Sequence, residues 1–313
     1  MTRTFRQGSS KDIWTELDDT GKPVEVFFEF SERVSVFDEG PLPIKFENLG
    51  RLRCAIAGRI FQALNSAGFN THYVSHDAAS ARMYVKPVNI PAFIPPVDYG
   101  EAAVGTMLPV EFLCRRMLTK KFMGRIERGE VDRVVIEKLM VFPEFREGAT
   151  LDPPFVECST KYEAADRYIT DAEAAKLVGR DEISLTNDCY SIVEDIFGFL
   201  YNFFRSEGGF LLRDGKIEMA VAFDGSIMLV DSISPDELGL IDPQGRLADK
   251  NIIRSYMIEH YPEWYADLEA AKKLYPNDKS MWPEYPSDLK LPKELVDDYI
   301  EKTRQVAEAI GAI

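Results

Sequence analysis

The sequence predicts a two-lobed α+β protein, and three observations carry that reading. Strand-like runs surround one amphipathic helix near the N-terminus; a second strand-rich stretch follows a proline- and glycine-rich segment; the C-terminal end is helical. At 313 residues the chain is long for one simple core and sufficient for two lobes that share an interface. The expected division is 1–90 for an N-terminal sheet lobe, 91–260 for an α/β lobe, and 261–313 for a helical extension packed on it.

In chain order, KDIWTEL and VEVFFEF read as strands on either side of a turn at Asp19-Thr20-Gly21. From Arg51 to Gly68, apolar residues at 52, 56, 60, 61 and 64 mark one helix face, and Gly68 marks its stop. THYV and RMYVKPV complete a first sheet, and IPAFIPPVDYGEAAVG reads as a loop or insertion between lobes. VEFLCRRML opens a second strand-rich region that is expected to include DRVVIEKLMVF. Thr170-Asp171-Ala172-Glu173 is a capping box for a short helix ending at Gly179. A longer helix is expected over Ile183 to Phe204, ending before Gly208-Gly209. IEMAVAF and SIMLV then flank Asp224-Gly225, a strong hairpin signal, and the final helical region is broken by MWPEYPSDLKLP.

Composition narrows the function. Hydrophobic content of 45% with 28% charged residues is ordinary for a soluble globular protein. The net charge of −15 argues against nucleic acid or an anionic membrane as partner, since both reward basic surfaces. No apolar run approaches the ~18 residues of a membrane span, and MTRTFRQGSSKDIW lacks the apolar core of a signal peptide. Cysteines 54, 114, 158 and 189 are scattered, which points to reduced thiols and a cytoplasmic location. The partners expected are small molecules, with a homo-oligomer left open.

The hairpin is the strongest chemical signal. A two-residue turn at Asp224-Gly225 places Glu218 directly opposite Asp231, with Lys216 on the same face. Opposed like charges are destabilising unless a cation lies between them, and Mg²⁺ suits a pair of carboxylates because it prefers oxygen and retains water. A structural Lys–Glu pair with Asp231 facing solvent fits the pattern as well. In RQGSSKDIW, Gly8 permits close backbone approach to a phosphate and Lys11 adds charge, yet the spacing is not that of a P-loop, and a plain turn entering a strand is the simpler reading. Arg115, Arg116, Lys120 and Lys121 form a basic cluster that could hold an anion or could be a solvated face. His72, His76 and His260 show no metal-ligand spacing and receive no catalytic role; Trp14, Trp264 and Trp282 read as core or interface anchors.

Taken in order, GSSKDIW, FEFSERVSVFD, GRIFQALNSAGFNTHYV, LPVEFLCRR, ECSTKYEAADRY, DGKIEMAV and LVDSISPDEL resemble the SAICAR synthetases, the phosphoribosylaminoimidazole-succinocarboxamide synthases of purine biosynthesis. DKNIIRSYM and EWYADLEAAKK extend the resemblance over nearly the whole chain. It implies an ATP-grasp-like, kinase-like fold with ATP in the interlobe cleft. The implied reaction is an ATP-dependent ligation, through an acyl phosphate, of a carboxylated aminoimidazole ribonucleotide to L-aspartate, with Mg²⁺. By the same resemblance Gly8, Ser9, Ser10 and Lys11 would form the phosphate loop, and Tyr84 to Val88, including Val85 and Lys86, the adenine-reading hinge. Glu218 and Asp231 would be the magnesium-linked catalytic acids with Lys216 beside them; Asp38, Arg115, Lys161 and Asp236 would line the substrate site.

Three departures lie on the ribonucleotide side. Leu49-Gly50 stands where the family has Lys-Gly, with Lys45 upstream as a possible substitute. Arg115-Arg116 is followed by TKK in place of a Gly-Ser turn, and Gly239 stands where an arginine follows SPD. The alternatives to SAICAR synthesis are therefore a paralogue joining an amino acid to a different heterocyclic carboxylate in a nucleoside-type natural product, and, further off, a phosphotransferase.

Overall fold

The structure, a computed structural model, describes residues 2–90 and 104–313. Its first sheet is built from β1 (Thr2–Gln7), β2 (Lys11–Leu17), β3 (Pro23–Phe30), β4 (Tyr73–Asp77) and β5 (Arg82–Val85), in the order β1-β2-β3-β5-β4, with helix α1 (Leu49–Ser66) between β3 and β4. Period-two alternation in VEVFFEF turns Val26, Phe28 and Phe30 onto α1, where Leu52, Ile56, Ile60, Phe61 and Leu64 are buried against them. Gly68, at φ 91, follows the helix end. Strand β1 was not foreseen: every one of its residues is exposed, so it has no apolar alternation to read, and it pairs along β2.

The second sheet contains β6 (Thr106–Met107), β7 (Val110–Met117), β8 (Thr150–Thr160), β9 (Tyr168–Ile169), β10 (Leu211–Val221), β11 (Ile227–Val230) and β12 (Leu238–Ile241). Its path is β11-β10-β7-β8-β9, and β6 and β12 also pair with β10, making that strand the hub. Helices α2 (Lys120–Glu127) and α3 (Arg133–Leu139) join β7 to β8; α4 (Asp171–Val178), α5 (Glu182–Ser184) and α6 (Ser191–Gly208) join β9 to β10. The chain closes with α7 (Asn251–His260), α8 (Pro262–Leu274) and α9 (Lys293–Ala309). One apolar core runs from α1 and the first sheet through β7, β10 and α6 to Val306 and Ile310. A second one, including Val34, Val36, Phe46, Leu49, Met257 and Tyr299, ties the 34–49 segment to α7 and α9.

Several expectations are met and several corrected. Thr170 caps α4 through its hydroxyl, accepting from the Glu173 N–H, and Gly179 ends that helix at φ 69. DRVVIEKLMVF contains helix α3 rather than a strand: Asp132 accepts from the Val134 N–H as N-cap, and only Ile136 of the helix is buried. A local cap has outweighed the strand preference of a β-branched run. The long helix expected over 183–204 is divided, since a π-helical turn at Leu185–Tyr190 separates α5 from α6. All four cysteines are free and buried. Most of IPAFIPPVDYGEAAVG lies outside the described residues. Among the described residues no helix is long and apolar enough to cross a membrane.

Candidate active site

The β1–β2 turn is Gly8-Ser9-Ser10, closed by the Gly8 N–H donating to the Lys11 carbonyl at 3.0 Å. A Cβ at position 8 would lie 2.5 Å from that same oxygen, so only glycine fits. The turn is tied down from outside: Arg33 donates to the Gly8 carbonyl at 3.0 Å, and the Ser31 N–H and hydroxyl both donate to the Ser10 carbonyl at 2.9 Å. Lys11 thereby projects out of the first sheet into the second. Its ammonium is 2.9 Å from Asp231 Oδ1 and donates to Ser232 Oγ at 2.9 Å.

The carboxylate pair forms, but not by direct opposition. Glu218 pairs with Val230, and Ala222 N–H donates to the Ser226 carbonyl around a three-residue loop, Phe223-Asp224-Gly225, with Gly225 at φ 84. This register is shifted by one from that of a two-residue turn, which would send Asp231 to the wrong face. Asp231, however, lies just past β11 and adopts the left-handed region at φ 66. That backbone turn carries its carboxylate back beside Glu218.

The lysine assignments also change. Lys161 forms the ion pair with Glu218, whereas Lys216 donates to Glu111 at 2.7 Å and has Asp166 at 3.8 Å. Burial first, then the Asp231 charge, pushes the Glu218 carboxyl up to about 7. Burial also opposes ionisation of Asp231, but Lys11 and Lys161 outweigh it and hold that carboxyl below the usual range. Glu218 Oε2 is buried without a hydrogen-bond partner among the described residues. An orphaned carboxylate oxygen beside a second carboxylate fits a divalent cation. Among the described residues no group of three or more His, Cys, Asp or Glu is placed to hold a metal ion.

A cavity of ≈ 260 Å³ opens beside the expected hinge, lined by Lys86, Pro87 and Val88 on one side and by Ala222, Phe223 and Met228 on the other. Val88 packs with Met107, Ala220, Ala222, Met228 and Val230, giving the cavity an apolar wall. A larger open depression of ≈ 700 Å³ around α4 and α5, lined by Lys176 and Arg180 among others, contains none of the predicted site residues.

On the other side of the carboxylates, Asp236 is ion-paired with buried Arg53, Nε to Oδ2 at 2.6 Å, and Tyr299 Oη donates to it at 3.3 Å. Asp38 accepts from Lys272 at 3.0 Å. Arg115, expected as a free anion binder, is buried with its guanidinium donating to Glu157 and to Tyr168 Oη and lying over the Phe122 ring. Lys120 is exposed, so the basic run does not act as one cluster. Leu49 is a core residue and Lys45, four residues upstream, is exposed. Gly239 has a packing reason: a Cβ there would meet Asp214 Oδ1 at 1.8 Å.

Residues the sequence did not flag complete the cleft. The ammonium of Lys250, at the start of α7, makes no hydrogen bond or ion pair among the described residues; burial first, then Arg254, pushes it down to about 8 despite Asp236 and Glu237. Glu237 is itself pushed up to about 7 by burial and by Asp236. Glu111 and Asp166 gather around Lys216. DKNIIRSYM contained the signal for Lys250 and Arg254, but nothing local to it tells which face meets the cleft.

The SAICAR synthetase family model matches residues 4–271. The chain belongs to the SAICAR synthetase family. Membership makes it an ATP-dependent ligase of the purine-biosynthesis class. A putative phosphoribosylaminoimidazole-succinocarboxamide synthase of Archaeoglobus fulgidus is 28% identical over 284 residues, covering 85% of this chain and 82% of the relative. The Saccharomyces cerevisiae SAICAR synthase, solved with SAICAR, shares the fold with a TM-score of 0.67 at 17% identity, covering 98% of this chain and 94% of the other. A SAICAR synthetase solved with ADP gives 0.61 at 23% identity, covering 90% and 100%.

Proposed function

We propose that this SAICAR synthetase family member makes SAICAR itself, joining the carboxylate of carboxyaminoimidazole ribonucleotide to the amine of L-aspartate with consumption of ATP. The observation that carries the reading is the Glu218–Asp231 pair, held between Lys11 and Lys161 with one buried carboxylate oxygen left without a partner. In this reading the adenine enters the cavity beside Lys86 and Val88, and the Gly8–Lys11 turn covers the phosphates. Glu218 and Asp231 would hold Mg²⁺, which when bound supplies charge neutralisation at the transferring phosphoryl group. Lys11 and Lys161 exchange carboxylate partners for phosphate oxygens as the nucleotide binds. Lys250 and Arg254, cations with spare capacity, face the anionic ribonucleotide; Asp38 and Asp236 accept from its hydroxyls.

A carboxylate is a poor electrophile. Its oxygen attacks the γ-phosphorus, the bond to ADP breaks, and an acyl phosphate forms. The aspartate amine then attacks the acyl carbon, losing a proton and expelling inorganic phosphate. The task of this chain's residues is to hold the two reactants in line and to exclude water.

The test is ADP release by the purified protein with Mg-ATP, L-aspartate and the ribonucleotide, each omitted in turn, with product mass recorded. Turnover that needs all three, with the succinocarboxamide mass, is expected. ADP release that needs no amine, or none with this pair, would sink the assignment.

A further inference from the structure

We infer that His72 is a positioning residue for the Asp231 carboxylate, and that the Asn70–His72 segment couples the nucleotide hinge to the metal site. The inference rests on the reading of Glu218 and Asp231 as the metal-holding pair. Asp231 is a non-glycine residue in the left-handed region, a costly conformation that persists only where its surroundings impose it. The strain has a purpose already visible: with β11 in its observed register, an extended Asp231 would turn its side chain away from Glu218. Something must hold the turned backbone.

His72 is placed to do so. Its ring is 1% exposed, packed against Phe28 and Phe61, and its Nε2 lies 2.8 Å from the Asp231 carbonyl oxygen. A carbonyl only accepts, so Nε2 carries the proton and donates. Nδ1 is then the bare nitrogen, and it is buried without a partner among the described residues. The ring thus makes one hydrogen bond, and that bond goes to the strained residue.

The same segment reaches the hinge. Leu229 N–H donates to the Asn70 carbonyl at 2.9 Å and His72 N–H to the Leu229 carbonyl at 3.0 Å, laying the segment along β11. Lys86 N–H donates to the His72 carbonyl at 2.7 Å, and Lys86 Nζ to the Thr71 carbonyl at 3.0 Å. A base seated against Lys86 and a cation seated on Asp231 therefore both bear on Thr71 and His72, the first through their carbonyls and the second through the His72 ring.

The experiment is calorimetric titration of the whole protein with ADP, with and without Mg²⁺, for wild type, His72→Phe, His72→Gln and Glu218→Gln. Phenylalanine keeps the aromatic packing and removes the donor; glutamine restores an amide donor near the Nε2 position. His72→Phe is expected to lose about 10-fold of the Mg²⁺-dependent gain in ADP affinity, the size of one hydrogen bond together with the strain it holds, while metal-free ADP binding stays within about twofold. His72→Gln should recover most of the gain. If His72→Phe keeps the full Mg²⁺ gain, or if it weakens metal-free and Mg²⁺-dependent binding equally and glutamine does not rescue it, the positioning role is wrong. Glu218→Gln separates this from failure of the metal-site reading. If that variant also retains the Mg²⁺ gain, the metal site lies elsewhere.

Discussion

Replacing Glu218 by glutamine is expected to stabilise the free protein while abolishing its turnover. The Glu218 carboxyl has an ordinary value of 4.5 and is pushed up to about 7, by burial first and by Asp231 second. The sign follows from linkage: between those pH values the folded state binds the proton more tightly than the unfolded chain, so stability falls as pH rises through that window. Above pH 7 the ionised group costs the fold about 3 kcal/mol, at ~1.4 kcal/mol per pH unit across the interval. Glutamine removes the charge but weakens the contact with Lys161, which retains Glu111 at 3.8 Å. A net gain of about 1–3 kcal/mol, or roughly 2–5 °C in Tm, is the reasoned outcome at pH 8. Scanning calorimetry of wild type and Glu218→Gln in the presence of chelator, at pH 8 and pH 5, measures it. The gap should shrink toward pH 5, where wild-type Glu218 is largely protonated in the fold. A variant that melts below wild type at pH 8, or a gap that does not change with pH, would refute the argument that the site stores like-charge repulsion for a cation to relieve.

Two further outcomes follow from the ribonucleotide side. Lys250 is pushed down to about 8, so affinity for the anionic ribonucleotide should fall as pH rises through 8, and Lys250→Met should remove that limb and weaken binding at pH 7 about 10-fold or more, read as Kd at pH 7 and 9. Its stability linkage runs opposite to that of an ordinary paired lysine: the buried charge opposes folding below pH 8, and the opposition is relieved between pH 8 and the ordinary 10.5. Gly239→Ala should destabilise by about 1–3 kcal/mol in denaturant melts, because its Cβ must displace the Asp214 carboxylate. An unchanged midpoint would mean that the strand pair β10–β12 yields freely.

The position of Gly239 shows how sequence and structure divide the problem. By sequence it is a missing arginine on the substrate side; in the fold, Asp214 occupies the space into which any side chain would have to emerge. Arg115 shows the same division. The sequence offers a cation, and the structure has already placed it against Glu157 and Tyr168.

Helix α1, the capped helix α4, the hairpin as a motif, and the residue types of the Gly8–Lys11 turn and the carboxylate pair were all legible in the chain. These are written in local signals: hydrophobic period, cap residues and glycine-bearing turns act over a few neighbours. Strand β1 and helix α3 escaped because one is exposed throughout and the other rests on a single Asp132 cap. Only the tertiary structure decided which charges meet. Lys11 and Asp231 are 220 residues apart in the chain, and Lys161 rather than Lys216 faces Glu218. A one-residue difference in loop length would have reversed the face of Asp231 had its backbone not turned left-handed against His72. Burial, register and strain belong to the assembled sheets, and no spacing along the chain encodes them.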